Sequence, residues 1–86
     1  MVILTRDRAI PLLANVTVAY VTGTIRGLPT EVSVGPEHGL ARESVVNCDN
    51  LVTIPKSALG RRRGALDPES LARLRVALLI ALDLER

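Results

Sequence analysis

In "VTVAYVTGTIRGLPTEV" two threonines, Thr22 and Thr24, end an apolar run and are followed at once by Arg26. Arg6 and Arg8 lie upstream, with Glu31 and the pair Asp49-Asn50 downstream. Hydroxyls and guanidiniums at this spacing can grip a phosphate through charge-assisted hydrogen bonds, and arginine does so bidentately. Such a set can also stabilise charge that develops on a phosphodiester, without a histidine. Each residue has a structural explanation as well: Thr22 as a strand end, Arg26 as a loop tip, Asn50 as a turn residue. Residue types alone leave both readings open.

Other chemistries are poorly served. His38 and Cys48 are each unique, so no Cys/His pair has zinc spacing, and neither a metal nor another cofactor is expected. "GTIRG" lacks the Walker lysine and the Rossmann spacing. A serine or cysteine nucleophile would have to use the one histidine, and nothing near it in sequence supports that, so His38 reads as a loop residue. Tyr20 is the only aromatic residue, which excludes a row of stacked bases. The net charge is a mild +2, but Arg6, Arg8 and Arg26 share the first thirty residues with one acid, Asp7, and Arg61, Arg62 and Arg63 cluster. Such patches suit phosphate contacts or plain solvation.

The elements that must position these residues fit one domain over the 86 residues. Val2 to Thr5, Val16 to Thr22, Thr30 to Val34, Ser44 to Cys48 and Leu51 to Ile54 read as strands, the last two as separate or as one long bent strand broken near Asp49-Asn50. In the second run Val16, Val18 and Tyr20 alternate with Thr17, Ala19 and Val21. Lys56 to Leu59 reads as a short helical turn. Asp67 is placed as an N-cap before Pro68 and Glu69, and a helix over about 68–83 follows. Its apolar face is expected at Leu71, Leu74, Leu78, Leu79 and Leu82. Strands over about 2–54 and then one helix give a mainly β fold with a C-terminal helix (α+β), a bent sheet or partial barrel. Val76 to Leu82, the longest apolar run, is far too short to span a membrane. A lone thiol fits a reducing cytoplasm.

Several segments in order resemble the MazF/PemK family of toxin endoribonucleases: "VILTRDRAIPLLANVTVAYVTGTIRGLPTEVSVGPEHGL", then "SVVNCDNLVTIPKSALGRRRGALDPESLARLRVALLIALDL". Family members typically read "RPVVILS", a strand ending "VAPITT" or "VAAITG", "IPTEV", "SVVNLDQIRTVDKSRLGRRIGRLS", and a helix ending "ALGL". The resemblance implies an SH3-like small barrel of the MazF/PemK/CcdB type, built as a homodimer. It implies metal-independent cleavage of single-stranded RNA by attack of a ribose 2′-hydroxyl on its own phosphate. Thr22 matches the threonine that faces the scissile phosphate, and so is the expected catalytic residue. Thr24, Arg26, Asn50 and Arg6 are the residues expected at the RNA, and Arg61 to Arg63 match a basic segment of the family. Partners implied are single-stranded RNA and a MazE-like antitoxin with an acidic disordered segment, with operator DNA reached only through that antitoxin.

The family pattern also has an arginine in "RP" directly before the "VVIL" strand, and a strand before that. Met1 stands at or near the place of the residue after that arginine and proline. The first strand is therefore expected to be missing and the neighbouring strand to be an uncovered edge. Loss of one preorganised donor costs on the order of 10²–10³ in rate. A start codon placed downstream of the true one, a truncated gene, or completion by a partner chain would each produce such a beginning. The alternative function is a relative that binds antitoxin without cleaving RNA.

Overall fold

The structure, a computed structural model, describes residues 1–5, 8–60 and 64–84. Four strands form one antiparallel sheet: β1 (Val2–Ile3), β2 (Asn15–Thr22), β3 (Glu31–Val34) and β4 (Ser44–Pro55), in spatial order β1-β2-β4-β3. One helix, α1 (Pro68–Ala81), closes the chain. Single 3₁₀ turns occupy Ile10–Leu12, Pro36–His38 and Lys56–Ala58.

Valine and threonine dominate β2 and β4, whose branched side chains suit a pleated, half-buried surface. β4 is one strand, not two. Ala19 pairs with Leu51 while Tyr20 pairs with Asn47, so Cys48, Asp49 and Asn50 are left over on β4 as a wide bulge. That bulge bends the sheet at the place where the sequence pattern breaks. The first strand is shorter than its apolar run, yet the edge continues. The Leu4 N–H donates to the Thr17 carbonyl at 2.8 Å and the Thr17 N–H donates to Thr5 Oγ1 at 2.9 Å.

The core joins Ala19, Val32, Val34, Val46 and Cys48 of the sheet to Leu74 and Ala77 of α1. Adjacent residues Val18 and Ala19 are both fully buried, so β2 is covered on both faces. Burial pushes the Cys48 thiol above its ordinary pKa, with the neighbouring Asp49 charge adding to the effect. That keeps it a poor nucleophile.

The helix begins at Pro68, as its first-turn residues dictate, and stops at Ala81, where Asp83 takes a left-handed conformation (φ 55°). Its packed face matches the leucine stripe only in part, through Leu74 and Leu78. Ser70, Leu74 and Ala77 are buried, whereas Leu71 and Leu82 are half exposed. Small residues let the helix axis approach the sheet closely, so Ser70 and Ala77 win the inner face over bulkier leucines. Leu71, Leu74, Leu78 and Leu79 instead line an apolar groove of 340 Å³ with Ile3, Leu4 and Arg75.

Candidate functional site

The strand register assembles a polar row. Tyr20 and Glu31 are both cross-strand partners of Asn47, on β2, β3 and β4. Side chains at paired positions share one sheet face, and Thr22, two residues beyond Tyr20, shares it too. These four border a polar cavity of 190 Å³ together with Thr24, Arg26 and Asn50. Four residues singled out in the sequence, Thr22, Thr24, Arg26 and Asn50, are therefore brought to one place. Arg6, the fifth, lies outside the described residues, as do Arg61, Arg62 and Arg63.

Tyr20 and Asn47 escape a reading of local pattern, whereas Glu31 stands among the polar residues noted in the sequence without a role at the RNA. Alternation assigns Tyr20 to the core with Val16 and Val18, but past the bulge that face opens into the cavity and Tyr20 is 39% exposed. The signal that finds Asn47, and that places Glu31 beside it, is the pairing of three strands, which is non-local. Arg42 is a further basic group near the site. Its guanidinium lies 3.3 Å from where a Cβ would stand on Gly23, the residue after Thr22.

Local hydrogen bonds shape the walls. Thr22 Oγ1 accepts the Thr24 N–H at 3.1 Å, so its own hydrogen is available for a bond to another partner. The loop after it turns through Gly27, whose φ of 72° suits glycine. Glu31 Oε1 accepts the N–H groups of Arg26, Gly27 and Leu28 at 3.1, 2.9 and 3.3 Å. The buried Thr30 hydroxyl donates to Asp49, and the Thr30 carbonyl accepts the Cys48 N–H at 3.0 Å. The loop and the bulge that carries Asn50 are thus tied to each other. Asn47 Oδ1 accepts the Asp49 N–H at 3.0 Å, leaving its amide hydrogens for other partners.

His38 is elsewhere and does a structural job. Its Nδ1 accepts the Gly35 N–H at 3.2 Å, which assigns the ring hydrogen to Nε2. From there it faces Asp67 Oδ1 at 3.2 Å and Ser70 Oγ at 3.1 Å. Serine, histidine and aspartate meet here, but both partners sit on the ring nitrogen that carries the hydrogen, so the imidazole offers the serine hydroxyl no base and this is no nucleophile system. It is a latch between the Pro36–His38 turn and the start of α1. Asp67 does precede the helix, yet its carboxylate serves the latch and makes no side-chain cap. Gly64 closes the latch from outside, because a Cβ there would run into the His38 carbonyl.

The Ser70 hydroxyl, then the His38 ring, hold the Asp67 carboxyl down to about 2 from the ordinary 3.8. A lowered pKa in the folded state means stability present above the ordinary value and lost as pH falls through the lower one. Melting temperature is therefore expected to fall between about pH 4 and pH 2. Asp67→Asn should flatten that part of the profile, which thermal unfolding followed by circular dichroism reads out. Asp67 is exposed, so added salt should weaken the effect.

Among the described residues no group of three or more His, Cys, Asp or Glu side chains is placed to hold a metal ion, and no helix is long and apolar enough to cross a membrane.

Comparison with known proteins converges on one family. Residues 1–82 match the model of the PemK-like, MazF-like toxin of type II toxin–antitoxin systems. The endoribonuclease MazF3 of Mycobacterium tuberculosis is 48% identical over 85 residues, spanning 99% of this chain and 82% of its own length. The solved structure of Mycobacterium tuberculosis toxin MazF-mt6 superposes with a TM-score of 0.95 at 48% identity, covering 99% of this chain and 86% of that one. An endoribonuclease from a mycobacterial species, solved in complex with its cognate antitoxin, matches with a TM-score of 0.86 at 32% identity, over 98% of this chain and 80% of its own. The match in sequence and in fold runs over nearly the whole chain, which belongs to the PemK-like, MazF-like toxins of type II toxin–antitoxin systems.

Proposed function

We propose that this chain is a metal-independent endoribonuclease that cuts single-stranded RNA, mRNA included, at the cavity bordered by Thr22. The single observation that carries this reading is the meeting of Thr22, Thr24, Arg26 and Asn50 around one polar cavity. The relatives' name, endoribonuclease, agrees with it. The cavity offers donors for a phosphate and amides for base edges. The Thr22 hydroxyl donates to a non-bridging phosphate oxygen, and the Arg26 guanidinium adds charge-assisted bonds. Asn47 and Asn50 hydrogen-bond exposed base edges, while Tyr20 offers a face for one base. The ribose 2′-oxygen then forms a bond to phosphorus as the bond to the 5′-oxygen breaks. The 2′-hydroxyl proton ends on the departing 5′-oxygen, leaving a cyclic phosphate.

Residues 1–86 act as one toxin domain in the cytoplasm, neutralised by an antitoxin whose acidic segment folds along the basic rim near Arg26 and Arg42. Operator DNA is reached only through that antitoxin. The apolar groove beside α1 supports a homodimer, since such patches are seldom left open to water.

The test is incubation of purified protein with single-stranded RNA in excess EDTA, using both the 86-residue chain and a form extended at its N-terminus by the upstream codons. Cleavage that leaves 2′,3′-cyclic phosphate ends is expected. Binding of antitoxin with no cleavage by either form would favour a non-catalytic binding module instead.

A further inference from the structure

We infer that Glu31 is a positioning residue: by holding three consecutive N–H groups of the 24–28 loop, it sets where Thr24 and Arg26 meet RNA and so which sites are cut. This rests on the reading of the cavity as an RNA site.

A carboxylate is an odd neighbour for a phosphate, and among the described residues Glu31 is the only acid bordering the cavity. Its contacts resolve the oddity. One oxygen takes the N–H groups of Arg26, Gly27 and Leu28, a nest of the kind that backbone turns make for anions. Charge-assisted bonds of this type are about twice as strong as neutral ones, so they hold the loop and offset the negative charge together. Among the described residues Glu31 makes no ion pair with Arg26, which touches it through its backbone N–H. The guanidinium is thereby left to the ligand. No packing fixes the loop at Gly27, where a Cβ would meet nothing within 4 Å. Its backbone is anchored as the first residue of β3, paired with Asn47, and its N–H donates to the Leu28 carbonyl of the same loop at 3.0 Å. One side chain therefore joins the loop to the strand row that lines the cavity.

The prediction separates a shaping role from a merely supportive one. Misplacing a contact group by about 1 Å can cost 10²-fold, so Glu31→Ala is expected to lower kcat/KM by roughly 10–100-fold, mainly through KM. It should also broaden the set of cut sites on a mixed RNA pool. Glu31→Gln keeps an acceptor oxygen in place and is expected to restore the wild-type cut pattern, with KM within about threefold. In ¹⁵N NMR spectra the Arg26, Gly27 and Leu28 amides should move in the alanine variant and return in the glutamine variant, while core signals such as Val46 stay put. Wild-type protein that cuts RNA while Glu31→Ala keeps the same cut sites and KM overturns the inference alone. Wild-type protein that neither binds nor cuts RNA overturns the functional reading and the inference with it.

Discussion

Thr22→Val should lower RNA cleavage by about 10²–10³-fold with the fold unchanged, the loss expected when one preorganised donor to developing charge is removed. Valine matches threonine in shape and suits the end of β2, so strand pairing with Val45 is retained. What disappears is one hydroxyl. In the folded chain that hydroxyl is already oriented, since its oxygen accepts the Thr24 N–H at 3.1 Å. An oriented donor costs no reorganisation when charge builds on the phosphate, which is why its removal reads out in kcat more than in KM. The Thr24 N–H is exposed and takes water in place of the lost acceptor, so stability should change little. Thr22→Ser restores the donor and is expected to recover most of the rate. Single-turnover cleavage of a short RNA by the three proteins, each checked by circular dichroism, measures this. A Thr22→Val protein within about threefold of wild type would remove Thr22 from the chemistry, because a lost donor is worth far more.

The parts of this site differ in how far the sequence exposes them. Thr22, Thr24 and Arg26 announce themselves because polar residues directly after a β-branched run mark a strand end, and strand ends carry loops to a site. Asn50 is visible for a related reason: Asp49-Asn50 interrupts an otherwise continuous apolar pattern, and the interruption is the bulge. Asn47 and Tyr20 are visible, and Glu31 gains a place beside them, only once β2, β3 and β4 are laid side by side, because register joins residues far apart in the chain. The His38 latch is hidden likewise, since Asp67 and Ser70 lie 29 and 32 residues away from it. Within α1 the start is set by local chemistry at Pro68 and Glu69, and the pattern shows it. The inward face is set by the partner sheet: Leu74 and Leu78 of the leucine stripe pack on the core, while Leu71 and Leu82 stay half exposed and Ser70 and Ala77 are buried.

That last difference has the largest consequence for stability. Leu74 is 6% exposed and packs with Val32, Val34, Val46 and Ala77, whereas Leu71, one turn earlier, is 50% exposed. Truncating a buried leucine removes its transfer free energy and leaves a cavity, about 2–5 kcal/mol in all. Small domains are stable by roughly 0.05–0.15 kcal/mol per residue, so for this chain that is a large share of the total. Leu74→Ala should therefore lower the urea midpoint sharply, with the slope unchanged, and lower the melting temperature by about 10 °C or more. Leu71→Ala removes a side chain that is half in water in the single chain, so at protein concentrations low enough to keep the chain monomeric it should cost less than about 1 kcal/mol. The leucine-stripe reading predicts comparable losses at the two positions, since both belong to it. The packing seen here predicts a difference of severalfold, because β3 and β4 close over Leu74 and leave Leu71 beside the groove with Ile3 and Leu4. Equal urea midpoints for the two variants would mean that α1 is rotated relative to the sheet, with Leu71 turned inward in place of Ser70 and Ala77.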